Sequence, residues 1–494
     1  MGSSAVATTP LAPGLKLTVD PAWLLARRAT HAATPALVAE IRKAGTKRWV
    51  ETQLAPAKID DRATETFVAK TFPVTGLDMP GIRRHTNDKP WEAQPSLARA
   101  TVWRQLTTKR PLLEKVVEMW HDHLHIALYD DKVAGWLCTY DREVIRPRAL
   151  GRFADLLYSA TTHPAMLLYL DQAWSTKEQP AENLSRELLE LHTVGTGAFT
   201  EADVKALAKL LTGFSVDPGT GRFAYRPEAH ATGAVTIVGT RLTNASPDAG
   251  PAELRKLIEK LAVHPATVRR VVTRIAQRFV SDTPPASLIS RLSSTYLASR
   301  TSIAPVLRVL FNSREFAAST GQKWARPQEY LASAYAAGSP RYVAPKDTST
   351  WSPLGTYVWL LETLGHVPME HPDPDGPKDT ASAWLNPGAL LARWNAADAI
   401  AGHWGDTLVL QPWPTVFGIT PTMTYEEVAT RLFTQLTGYV PADADRDAIA
   451  AFLAGPDEPG VAPPAGTPIS EAALTWYIPQ ATRLVLASPY MSLR

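Results

Sequence analysis

The chain has 494 residues, 45% hydrophobic and 20% charged, which is close to the globular average and excludes extended disorder outside the ends and the Pro-rich loops. Its 51 basic and 48 acidic residues leave a net charge of +3, too balanced for a nucleic-acid-binding surface. The single cysteine, Cys138, excludes an intrachain disulfide and a thiolate zinc site, and reads as a small buried hydrophobe. No apolar run reaches the roughly 18 residues a membrane span needs.

Residues 1–20 read as a disordered leader. Met1 to Gly14 has neither a basic n-region nor an apolar h-region, which points to a cytoplasmic protein. Residues 21–494 read as one large, mainly α, multi-helix domain with a motif core at about 110–240. Thr34-Pro35 is an N-cap with proline at the first helical position. Residues 73–95, rich in Pro, Gly and charge, read as a loop. Helices are expected over 111–125, 142–160, from His163-Pro164, and over 182–193. Thr200 with Asp203 resembles a capping box for a helix that ends at Gly213. A short β-hairpin insertion is expected near 222–240, from Phe223-Ala224-Tyr225 and Val235-Thr236-Ile237-Val238. Helices resume over 252–316, where Arg269, Arg270, Arg274 and Arg278 read as a solvated face. Residues 339–380 form a long Pro/Asp/Gly-rich loop around His371-Pro372-Asp373-Pro374-Asp375-Gly376, and loops of that length often act as lids. Residues 436–468 repeat this character.

Three of the 12 histidines fall in Trp120-His121-Asp122-His123-Leu124-His125. Clustered imidazoles are good transition-metal ligands. On a continuous helix His121 and His125 share a face; if the helix ends here, His121 and His123 converge instead. Glu118 precedes His121 at the Glu-x-x-His spacing of carboxylate-bridged bundles. In Glu182-Asn183-Leu184-Ser185-Arg186-Glu187-Leu188-Leu189-Glu190-Leu191-His192, the spacing puts Asn183, Glu187 and Glu190 on one face. Arg186 can pair with Glu182 or Glu190. His163 caps a helix or serves the site, Asp171 caps the next segment or reaches a metal or general-base position, and His230 reads as a solvated loop histidine. Nucleophile-elbow, Walker, Rossmann and His-Glu-x-x-His signatures are absent from the sequence.

These segments, with Ile145-Arg146, His163 through Asp171, Thr193-Val194-Gly195 and Leu210-Leu211-Thr212-Gly213-Phe214, resemble the bacterial family known as domain of unknown function 1800. Weaker echoes run from about residue 22 to the C-terminus, including Phe311 to Phe316, Arg393-Trp394-Asn395 and Ala487-Ser488-Pro489-Tyr490. The resemblance implies one integrated helical unit. It also implies an Asp after the histidine matched by His230 and a lysine shortly beyond, where this chain has Ala231 and Val235. Many members look exported; a cytoplasmic offshoot recruited to a specialised biosynthetic pathway is the expectation here.

The leading functional expectation is a metal-dependent enzyme acting on a small-molecule substrate, with oxidoreductase chemistry among the options. His121, His123, His125, Glu187, Glu190 and His192 are the expected ligands of iron, manganese or zinc, and Asp171, Arg186, His163 and Asn183 the expected catalytic side chains. The first alternative is a magnesium- and diphosphate-dependent lyase or cyclase built on Asn183, Glu187 and Glu190, with Asp130-Asp131 nearby and 15 tryptophans to line a pocket. The second is a non-enzymatic scaffold in which polar helix faces are buried hydrogen-bond networks.

Overall fold

Local chemistry opens most of the helices. Asp20 accepts from the Ala22 and Trp23 amides at 2.9 and 3.2 Å and starts Pro21–Ala29. Thr34 caps Pro35–Ala44 through the Leu37 amide. Thr200 and Asp203 form both halves of the expected capping box at Glu201–Leu211. The computed structural model describes residue 15 and residues 17–346, 352–405, 407–455 and 464–494. Most of the expected leader therefore lies outside the described residues.

Among the described residues the chain is mainly α, with three two-stranded antiparallel pairs. The expected hairpin resolves into two. Phe223–Tyr225 pairs backward with Phe214–Val216, and Val235–Ile237 pairs forward with Thr240–Leu242. The strand Phe214–Val216 is buried throughout, its Ser215 hydroxyl satisfied by the Ala173 carbonyl at 2.7 Å, and three residues are too few to show a strand period in the sequence. The expected loop at 73–95 contains the helix Met79–His85, because Asp78 accepts from the Gly81 amide and Pro80 sits in the first turn. The expected helix over 142–160 is interrupted: Arg146–Arg148 gives way near Gly151 before Phe153–Thr161 begins. The loop 339–380 encloses the helix Gly355–Thr363, and the 436–468 region contains Asp443–Ala454. Among the described residues, no helix is long and apolar enough to cross a membrane.

One cluster of buried hydrophobic residues runs from Ala22 to Leu493. At its centre lies the helix Pro111–His123, whose residues are buried on almost every side. That helix carries charge into the interior, and each charge is answered by another segment. Glu118 Oε2 meets Lys115 Nζ at 2.9 Å, Arg278 Nη1 at 2.7 Å and His31 Nε2 at 3.0 Å. Asp122 Oδ2 accepts from Arg326 Nη1 at 2.6 Å and from Arg278 Nη2. Asp379 Oδ1 faces Arg278 Nε at 2.8 Å and Arg326 Nη1 at 3.4 Å. Glu329 closes the set with Lys115 and Arg494. Four carboxylates (Glu118, Asp122, Glu329, Asp379) thus meet four cations (Lys115, Arg278, Arg326, Arg494). Burial alone would raise the Glu118 carboxyl, yet Lys115, Arg326 and Arg278 hold it well below its ordinary range. Asp122 is lowered in the same way by Arg326 and Arg278. Arg28, fully buried beside this set, donates to four carbonyls: Phe279, Val280, Ser319 and Arg494.

Removing one partner of a buried pair strands the other charge, at a cost of about 3–5 kcal/mol. Asp122→Asn should therefore lower the unfolding free energy by about 3 kcal/mol or more in urea titration, while Arg62→Gln, whose pair with Asp60 is fully exposed, should leave it nearly unchanged. Equal effects of the two substitutions would contradict this account.

Candidate functional site

The motif helix ends at His123, with Leu124 as its C-cap. That termination sends the three histidines in different directions. His121 Nε2 bonds Asp141 Oδ1 at 2.9 Å, and Asp141 is held in turn by Arg146 Nε at 2.6 Å. His123 Nε2 donates to the His192 carbonyl at 3.2 Å, and the two rings lie 6.4 Å apart. His125 Nε2 donates to the His371 carbonyl at 2.7 Å, with ring centroids 5.8 Å apart. Neither alternative for the partner of His121 is realised: its ring nitrogen is bound to Asp141 rather than shared with His123 or His125.

The second motif also divides. Asn183–Glu187 is a short α-helix, but Leu188–His192 widens into a π-turn, which rotates the residues that follow. Asn183 leans on Asp171 at 3.5 Å, and Asp171 is paired with Lys132 at 2.7 Å in solvent. Arg186 forks onto Glu201 at 2.6 and 2.8 Å rather than serving a site, with Glu182 only at 3.6 Å. Glu187 and Glu190 are half-buried, and Glu187 is raised above the ordinary carboxylate range by burial and by Glu190 and Asp375 nearby. His192 is buried, with Nε2 lacking a hydrogen-bond partner among the described residues. His163 is a helix cap, its Nδ1 accepting from the Ala165 amide at 3.2 Å. His230 is not solvated. It is 2% exposed, and its ring joins the Thr212 carbonyl at 2.9 Å to Asn244 Oδ1 at 2.8 Å. Its role is to tie the base of one hairpin to the other. Cys138 is buried as expected, and burial pushes its thiol up to about 12.

What the motif helix does support is the loop that the sequence marked as a lid. The His371 carbonyl accepts from His125, and the Pro372 carbonyl from the Tyr169 hydroxyl at 3.3 Å. Gly376, at φ +64°, packs so close to the Asp122 carbonyl that a Cβ would lie 2.2 Å from its oxygen. Asp379, three residues on, enters the buried ion network. Pinned in this way, the loop brings His371, Asp373 and Asp375 together, with one ligand atom from each within 4.8 Å of the others. Among the described residues, no other trio of His, Cys, Asp or Glu meets that spacing. The six expected ligands do not gather at one point. Instead, His125, Glu187 and Tyr169 surround a trio that the sequence reading did not assign. The signal was present as His-x-Asp-x-Asp, in which two prolines fix the backbone between the ligands.

A cavity of about 220 Å³ opens beside this trio, lined by Asp375, His123, Leu191, Arg270, Arg274 and Lys378 among others. The basic stretch at 269–278 is thus not a solvated face. Only Arg269 is exposed; Arg270 and Arg274 line the cavity and Arg278 is 1% exposed. Residues at i, i+4 and i+8 share a helical side, and here that side flanks the buried stripe of Val271, Ile275 and Phe279.

A large helical domain with a His/Asp/Asp loop braced on a buried motif helix is the class these features define. The family described as "Protein of unknown function (DUF1800)" matches residues 24–493, and the chain belongs to it. Neither the curated proteins nor the solved structures give a match.

The site's buried histidines carry a pH signature. Burial first, then Arg270 and Arg274, lowers His192 to about 3; burial, then Arg142 and Arg148, lowers His163 to about 3. Such groups fold neutral and unfold with an ordinary value near 6.5, so the unfolded state binds the extra proton. Stability is then full above about pH 6.5 and falls as pH drops toward 3, by about 2 kcal/mol per histidine at pH 5. His163→Asn, which keeps a capping acceptor, should flatten the decline in thermal midpoint between pH 7 and pH 5 relative to the parent. An unchanged slope would remove His163 from this account.

Proposed function

We propose that this protein is a metal-dependent enzyme acting on a small molecule, with a divalent ion held by His371, Asp373 and Asp375. The observation that carries the reading is the convergence of those three ligand atoms on a loop anchored at four points. A second observation supports it. Glu187, Glu190 and Asp375 crowd negative charge into one region, and the Glu187 carboxyl is raised first by burial and then by that charge. A cation there would relieve it. One imidazole with two carboxylates suits manganese, iron or zinc, and leaves coordination positions for substrate. Bound metal would act as a Lewis acid on a substrate oxygen or, if it is iron or manganese, support oxidation. Glu187, half-buried near Asp375, is our candidate for the group that takes up a proton beside the ion. His121 stays a positioning group, since its ring nitrogen is committed to Asp141.

Elemental analysis of the purified, untagged protein tests the reading. About one equivalent of manganese, iron or zinc is expected, lost in His371→Ala/Asp375→Asn and kept in His121→Gln. Added metal at about a hundred times its dissociation constant should stabilise the parent by about 2.7 kcal/mol and the double variant by nothing. A magnesium-only response in the same titration would favour the lyase or cyclase alternative. No response to any divalent ion would leave the trio as a loop brace and end the metal proposal.

A further inference from the structure

The 220 Å³ cavity beside the trio has an unusual charge inventory. Its two acidic residues are engaged: Asp379 by Arg278 and Arg326, and Asp375 by Lys378 and by His371 at 3.2 Å. Its arginines are not. Among the described residues, neither Arg270 nor Arg274 has a carboxylate within ion-pair distance. Arg274 donates to the Asp122 carbonyl at 2.8 Å through Nη2, and its buried Nε has no partner. Arg270 is held from behind by the second motif. Gly195, at φ +82°, lies where a Cβ would come within 2.9 Å of an Arg270 guanidinium nitrogen, so the glycine that ends the motif makes room for that head group.

His123 supplies the third element. It is 2% exposed and lines the cavity, and its Nε2 donates to the His192 carbonyl. A neutral ring that donates at Nε2 carries a lone pair at Nδ1, and Nδ1 has no partner among the described residues. Two guanidinium groups with no carboxylate at ion-pair distance therefore border one small cavity together with His123, whose Nδ1 is buried without a partner. Burying such groups without partners is costly, and a ligand of complementary chemistry removes the cost. The volume is below the roughly 300–1,000 Å³ of drug-sized pockets, which points to a small metabolite.

We propose that this cavity binds the oxyanion of a small molecule, carboxylate or phosphate, on Arg270 and Arg274, while a hydroxyl or amine of the same molecule donates to His123 Nδ1. Guanidinium groups bind both oxyanions through paired N–H donors. The proposal rests on the metal reading only in one respect: Asp375 borders both sites, so the anchored molecule presents its remaining atoms to the ion. The binding itself needs no metal.

Isothermal titration calorimetry on chelator-treated protein, at constant ionic strength, tests it with acetate, glycolate and inorganic phosphate. Saturable one-site binding is expected, weakened about tenfold or more in Arg270→Gln. Glycolate, with its hydroxyl, should bind more tightly than acetate, and the difference should vanish in His123→Phe. Phosphate binding in place of glycolate would identify a phosphate ester as the substrate class. The parent protein gives a readout independent of how the variant folds: phosphate or glycolate should slow phenylglyoxal modification of Arg270, followed by mass spectrometry. No saturable binding by any of the three anions, or binding indifferent to Arg270→Gln, overturns the proposal. Repeating the titration with His371→Ala/Asp375→Asn separates the two readings, since anion binding should survive there even if the metal site does not exist.

Discussion

The structure depends on keeping charge inside the protein. Eight ionised side chains and Arg28 are buried around the helix Pro111–His123, and they come from segments as distant in sequence as Arg28, Arg278, Arg326, Asp379 and Arg494. A buried ion pair compensates its desolvation only when geometry is good and remaining donors are satisfied. Such a network specifies more than it stabilises, because each guanidinium accepts only one arrangement of its partners. The apolar core would tolerate small slips of one helix against another. The network would not, and this fixes where the 379 end of the loop lies relative to the motif helix.

From that constraint the site follows. Asp122 is a salt-bridge acceptor through its side chain and, through its carbonyl, the floor on which Gly376 rests and to which Arg274 donates. One residue therefore ties together the ion network, the loop and the cavity. Within the 371–379 segment, His125 and Tyr169 hold the start, Gly376 the middle and Asp379 the end. The motif residues that drew attention in the sequence support the loop rather than forming a ligand set of their own.

Much of this was legible in the sequence. Helix starts follow from caps such as Asp20, Thr34 and the Thr200–Asp203 box, and the family from the Trp-His-Asp-His and Glu-Leu-His-Thr-Val-Gly segments. Clustering drew attention to the end of the motif helix and to 182–192. Pairing was harder to read. The spacing argument put Asn183, Glu187 and Glu190 on one stripe, because nothing local announces a π-turn. Arg278 looked solvated because a buried arginine differs from an exposed one only in what lies opposite it. His230 looked free for the same reason, its partners being 14 and 18 residues away.

The sequence by itself determined the mainly helical character, many of the helix starts and the family. These depend on capping, proline placement and apolar periodicity, which act within a turn or two of the chain. Tertiary structure alone decided which side chains meet: His121 with Asp141, His125 with the His371 carbonyl, and Arg270 with the space Gly195 leaves. Those contacts join segments tens to hundreds of residues apart, and they are selected by the requirement that every buried charge find its counter-charge when the whole chain packs.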